Sequence, residues 1–348
     1  MHISSLPGKY GIGTFGREAF SFVDFLKKSG QTYWKVLPLN PTGFGNSPYQ
    51  SCSAHALNPY FIDLDLLCNE NLLDKNICDS FSWDLNFSKI NYENLFQNRF
   101  AVLKIAFENF KKSHNANFEE FILKNYSWLE NYSVFMAIKK HFGKISFQKW
   151  PLDLIFQEKS SLDEIKIKLK DDIDFFNFLQ FKAYSQWESL KIYANSQNIK
   201  IIGDLPIYVG LDSADVWGAP KNFLLDKNLN PICVAGCPPD SFSEKGQLWG
   251  NPLYDWEYLK KNEYKWWIDR LKNAALLFDV FRIDHFRGFD SYYAIDSKET
   301  DASNGNWEKG PGIDFFNAVK EKLGSVSIIA EDLGFLTDSV MNLLEKTG

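Results

Sequence analysis

Arg282 and Asp284 stand two residues apart in the apolar run Phe278–Asp284. If that run is a strand, its period of two puts both side chains on one face, where the guanidinium would hold the carboxylate ionised. An ionised carboxylate suits a nucleophile. Glu331 closes a second such run, Ser327–Glu331. Beside an anion in a partly dry cleft its protonated form would be favoured, which is what a general acid requires. Two carboxylates with opposed roles are the minimum equipment for retaining glycoside chemistry. The bland alternative is an ordinary Arg282–Asp284 ion pair at a strand end with a solvated Glu331, and the spacing alone leaves both readings open.

The aromatic content bears on that choice. The chain carries 31 Phe, 11 Trp and 15 Tyr, 16% of its residues. Such rings either fill a core or stack on the apolar faces of ligands such as sugars. Trp249, Tyr254 and Trp256 fall in the segment Pro238–Trp256, beside Asp240, Gln247 and Asn251, and this segment reads as a long loop. Rings beside amides on a surface loop suit sugar recognition, although Trp249 and Trp256 would serve equally to anchor a loop on the core. Ser47–Ser51, with Tyr49 and Gln50, has the same mixture.

The elements that must position these residues follow from periodicity. Apolar runs predict strands near 33–38, 60–64, 200–205, 278–283 and 326–331, and helical spacings predict helices over 18–29, 175–197, 266–277 and 315–323. Helices alternating with buried strands imply parallel βα units, and three strands end in a carboxylate: Asp204, Asp284 and Glu331. That is the end of the strand at which β/α barrels place their chemistry. Residues 1–65 read as the first part of a barrel and 66–171, rich in Lys, Asn, Glu and Phe, as a mainly helical insertion. Residues 172–348 continue the barrel, with substrate loops at about 210–256 and 296–312.

Composition excludes several classes. The 348 residues exceed what a single small core accommodates, and a net charge of 38 − 44 = −6 argues against a nucleic-acid footprint. No apolar run approaches the roughly 20 residues of a membrane helix, and Met1–Gly13 lacks the pattern of a signal peptide, so a cytoplasmic chain is expected. Cys52, Cys68, Cys78, Cys233 and Cys237 are odd in number and scattered, a poor disulfide framework. Cys233 and Cys237 lack the second pair or histidine of a metal site. A metal-dependent hydrolase on Asp284, His285, Glu331 and Asp332 is disfavoured because strand alternation turns His285 away from Asp284. No metal and no cofactor are expected.

The motifs Ser47-Pro48-Tyr49-Gln50-Ser51, Gly203-Asp204-Leu205-Pro206-Ile207-Tyr208-Val209, Gly246-Gln247-Leu248-Trp249-Gly250-Asn251-Pro252, Phe281-Arg282-Ile283-Asp284-His285 and Ala330-Glu331-Asp332-Leu333-Gly334 occur in this order. Together they resemble the 4-α-glucanotransferases, the amylomaltases or disproportionating enzymes of glycoside hydrolase family 77. The resemblance runs from His2 to the last residues and is weakest in the insertion.

It implies a (β/α)8 TIM barrel of the α-amylase type with inserted helical subdomains. It also implies transfer of an α-1,4-glucan segment to the 4-hydroxyl of an acceptor glucan or glucose by retaining double displacement. Asp284 would be the nucleophile and Glu331 the acid and then the base, while Arg282 would orient Asp284. Tyr49, Asp204, Trp249 and His285 would bind glucose units, and no cofactor, nucleic acid or membrane is implied. The family also uses a third carboxylate, an aspartate following a histidine, and no His-Asp pair occurs in these residues. The expectation is a barrel incomplete after about its fifth strand and a fragment with negligible turnover of its own. The alternatives are an α-1,4-glucan hydrolase, with water as acceptor, and a glucan-binding fragment without activity.

Overall fold

The computed structural model describes residues 1–84, 89–331 and 337–348. Contacts within the chain gather it into two units, one formed by Met1–Thr42, Ala56–Lys144 and Gln157–Ile202 and the other by Gly43–His55, Ile145–Phe156 and Gly203–Gly348.

In the first unit, β1 (Tyr33–Lys35) runs parallel to the opening of β2 (Lys200–Pro206), with Tyr33 opposite Lys200 and Lys35 opposite Ile202. The helix Arg17–Lys28 buries Ala19, Val23 and Leu26, a spacing of four and three that forms one face. The long helix Lys170–Ser196 buries Phe175, Phe178, Leu179, Trp187 and Leu190. Phe107 and Phe110 of the helix Tyr92–Phe110 meet its Phe175 and Phe178 with ring centroids 4.9–5.5 Å apart. Much of the phenylalanine excess is therefore core filling.

The strand expected at 60–64 does not form. Pro59 opens the 3-10 turn Pro59–Phe61, capped by the Asn58 side chain, and the Asp63 carboxylate caps the helix Leu64–Asn69 through the Leu66 N–H. Two local caps and a proline at a first helical position outweigh the apolar pattern.

The second unit carries the rest of β2, then β3 (Cys233–Cys237), β4 (Gln247–Pro252), β5 (Val280–Asp284), β6 (Ser291–Asp296), β7 (Gly305–Lys309) and β8 (Ile328–Ala330). β5 lies between β2 and β8 and is parallel to β8, with Arg282 opposite Ile329. Helices Lys265–Leu277 and Ile313–Leu323 precede β5 and β8, which makes parallel βα units of an α/β barrel sheet. Among the described residues the parallel strands are β1, β2, β5 and β8, four where five were expected, and β8 is at the edge. Gly203 is required in β2, since a Cβ there would stand 2.2 Å from the Phe278 ring.

A second, antiparallel sheet in the order β4-β3-β6-β7 occupies parts of 210–256 and 296–312 that read as loops. β3 has only five small residues and β4 carries glycine and polar residues, so their own pattern is faint. The apolar β6 supplies the core, with Tyr293 and Ile295 buried against Val234 and Ala302.

Candidate active site

The site lies wholly in the second unit, where β2 and β5 bring their last residues together. Arg282 and Asp284 share a face of β5, as period two dictates, and Arg282 Nη2 donates to Asp284 Oδ1 at 2.6 Å. Its Nε and Nη2 also form a fork onto Asp204, at 2.7 Å to Oδ1 and 3.0 Å to Oδ2, and its Nη1 lies 3.3 Å from Glu331 Oε1. One guanidinium thus faces three carboxyls. The Asp204 side chain is fully buried and takes a further bond, 2.7 Å, from the Tyr49 hydroxyl. It is saturated by protein donors, so it supports the site from beneath.

Glu331, directly after β8, accepts the His285 backbone N–H at 2.5 Å and is in hydrogen-bond contact with Asp284. That N–H is aimed by a backbone reversal: β5 ends at Asp284 and His285 adopts φ 56°, in the left-handed region. The reversal also corrects the expectation for the His285 ring. Alternation would send it away from Asp284, yet with the strand finished both side chains line one cleft of about 350 Å³.

The cleft is walled by Ser47, Tyr49 and Gln50 from one loop, Pro206–Tyr208 following β2, and Gln247, Trp249 and Asn251 of β4. Trp249 is half-exposed. Its ring meets His285 edge-on at 4.9 Å and 89°, and its Nε1 donates to Gln247 Oε1 at 3.0 Å. The ring reaches the cleft through a bulge. Val234 of β3 stands opposite Pro252 and Gly236 opposite Leu248, which leaves Trp249–Asn251 outside the ladder, with Gly250 turning at φ 76°.

Three carboxyls against one guanidinium cannot all ionise cheaply in a half-buried site. Burial and the neighbouring Glu331 charge push Asp284 up to about 7, against the pull of Arg282. The Arg282 pairing was expected to keep Asp284 ionised, but burial together with the contact with Glu331 outweighs it and favours the protonated form of Asp284. Burial and the Arg287 charge lower His285 to about 4, so its ring is neutral. Burial and the bond to Asp204 push Tyr49 above its ordinary value. Its hydroxyl remains a donor.

All seven residues singled out in the sequence meet here. Tyr49, Trp249, Asp284 and His285 line the cleft, while Asp204, Arg282 and Glu331 form the hydrogen-bonded support beside it. Gln50, Gln247 and Asn251 lay inside the quoted motifs without an assigned role. Asp332, the remaining carboxylate of the metal alternative, falls outside the described residues. Among the described residues no cluster of His, Cys, Asp and Glu could hold a metal ion, and no helix is long and apolar enough to cross a membrane.

Facing carboxyls at the ends of adjacent parallel strands, a guanidinium between them and an aromatic-walled cleft define the class: a βα-barrel enzyme of glycosidic bonds. Comparison with known proteins narrows it. The 4-α-glucanotransferase family model matches residues 1–348, and the chain belongs to that family. It is 52% identical over 349 residues to a 4-α-glucanotransferase of Clostridium butyricum, covering all of this chain and 72% of the relative. A 4-α-glucanotransferase of Streptococcus pneumoniae is 47% identical over 350 residues, with 100% and 69% covered. An amylomaltase from Streptococcus agalactiae, solved in complex with acarbose, superposes with a TM-score of 0.97 at 44% identity, with 100% and 70% covered.

Proposed function

We propose that the cleft binds an α-1,4-glucan across Asp284 and Glu331 and passes its donor segment, with retention, to the 4-hydroxyl of a second glucan or of glucose. The observation that carries this reading is the carboxyl pair, in contact and facing one guanidinium, beside the cleft that Trp249 and Tyr49 line. Their hydrogen-bond contact is closer than the separation of about 5–5.5 Å found in retaining enzymes. A glucose ring entering the cleft parts them, Asp284 keeps its pairing with Arg282, and Glu331 takes the part of the acid.

Asp284 attacks C1, the bond from C1 to the leaving O4 breaks, and Glu331 gives its proton to that oxygen. The resulting carboxylate of Glu331 then takes the proton of the acceptor 4-hydroxyl as that oxygen displaces Asp284 from C1. Arg282 steadies Asp284 throughout, and Asp204 holds Arg282 in place. Trp249 offers a face for stacking, and the neutral His285 and the Tyr49 hydroxyl offer hydrogen bonds to sugar hydroxyls.

Two further points belong to the same proposal. The thiol state of the five cysteines supports a cytoplasmic setting. These 348 residues contain no His-Asp pair, and their turnover is expected to be negligible, so that only prolonged incubation lets products accumulate. Prolonged incubation with maltotriose tests the reading. Glucose together with products longer than maltotriose, abolished by D284N and E331Q, is the expected result. Glucose and maltose alone would mean hydrolysis, and saturable binding without any product would mean a glucan-binding chain.

A further inference from the structure

The bulge in β4 raises a physical problem. Trp249, Gly250 and Asn251 leave the ladder, and Gly250 turns at φ 76° with nothing within 4 Å of where a Cβ would be. No packing at Gly250 holds that turn. Backbone groups freed from a ladder near a cleft need other partners, or the segment wanders.

The partner comes from the loop that carries Tyr49. Gln50 Nε2 lies 3.3 Å from the Trp249 carbonyl oxygen and 3.0 Å from Asn251 Oδ1, using both amide donors on the bulge. Asn251 is 5% exposed and passes the connection on, its Nδ2 donating to the Val209 carbonyl at 2.8 Å. Gln50 itself is fixed from below. Its carbonyl accepts the Gly43 N–H at 3.0 Å, and its own N–H donates to the Ser47 carbonyl at 3.3 Å. Two side-chain amides thereby join three walls of the cleft: the 47–51 loop, the bulge, and the chain following β2.

We propose that Gln50 is a positioning residue for glucan binding, which acts through Trp249 by holding the bulge so that the indole stands over the cleft. This deepens the reading of the cleft as a glucan site and rests on it. Gln50 also borders the cleft, so direct contact with sugar is the competing explanation, and the test must separate the two.

The experiment is a double-mutant cycle, with maltotetraose titrated calorimetrically into wild type, Q50L, W249A and the double variant, together with amide exchange across residues 248–251. Losing this part-buried hydrogen-bond anchor should weaken binding by about tenfold in Q50L, yet by less than about twofold when W249A is already present. The 248–251 amides should exchange about tenfold faster in Q50L. An undiminished Q50L effect in the W249A background, or unchanged exchange, overturns the proposal. W249A binding as tightly as wild type would remove the cleft reading and the proposal with it. Q50E, of nearly the same shape but with an acceptor where the donors stood, runs through the same cycle and keeps the test decisive if Q50L does not fold.

Discussion

Replacing Arg282 by Met keeps the length and much of the volume of the side chain while removing the charge. Four contacts disappear: Nε to Asp204 at 2.7 Å, Nη2 to Asp204 at 3.0 Å, Nη2 to Asp284 at 2.6 Å and Nη1 to Glu331 at 3.3 Å. Three carboxyls then face one another without a cation, and the Asp204 side chain has no exposure to water at all. Breaking a buried pair from one side costs about 3–5 kcal/mol. Asp284 and Glu331 retain 29% and 15% exposure, so solvent screens their share and the expected loss at pH 8 is about 2–4 kcal/mol.

The sign of the pH dependence follows from linkage. A carboxyl whose pKa is raised by folding stabilises the native state at low pH, and that contribution is lost as pH rises through the folded value. In wild type Asp284 does this between about 4 and 7. Without Arg282 more carboxyls are raised, so the loss in R282M should shrink to below about 1.5 kcal/mol at pH 5. Urea unfolding followed by far-UV circular dichroism at the two pH values measures both numbers. A loss below about 1 kcal/mol at pH 8, or equal losses at the two pH values, would refute the electrostatic account of the cluster.

Asp284→Asn should flatten the wild-type fall in melting temperature between pH 4 and pH 7, because it removes the group that folding raises to about 7; an unchanged slope would place that proton elsewhere. Tyr49→Phe deletes the 2.7 Å bond to buried Asp204 and should cost about 1–1.5 kcal/mol of stability by denaturant titration, with the cleft otherwise intact. Gly203→Ala forces a methyl to within 2.2 Å of the Phe278 ring and should lower stability by about 1–3 kcal/mol in the same assay.

How much of this was legible in the sequence depended on how local the determinant is. Arg282 and Asp284 share a face of β5 because they stand two positions apart, and β5 and β8 are short apolar runs ending at or beside an acid, while β2 carries Asp204 near its end. The helix Lys170–Ser196 announced itself through its length and Phe spacing. Residues 60–64 misled because Asn58 and Asp63 form caps by side-chain hydrogen bonds that an apolar pattern does not register. The antiparallel sheet was hidden because β3 and β7 owe their pairing to the apolar β6 between them, and β4 in turn to β3, not to their own residues. Non-local contacts were out of reach: Gln50 meets Asn251 from 201 residues away, and the upward shift of Asp284 comes from burial and from Glu331, both of which only the fold decides.

The central claim is that Asp284 forms the bond to sugar. It is tested most directly with an α-maltosyl fluoride whose non-reducing 4-hydroxyl is blocked, because fluoride leaves without help from an acid and the blocked donor cannot serve as an acceptor. Incubated with the E331Q chain and analysed by peptide mass mapping, it should leave a glycosyl ester on Asp284, with fluoride released in equal amount. A glycosyl ester on any other residue, or fluoride release without an ester while D284N releases it as fast, would contradict the account.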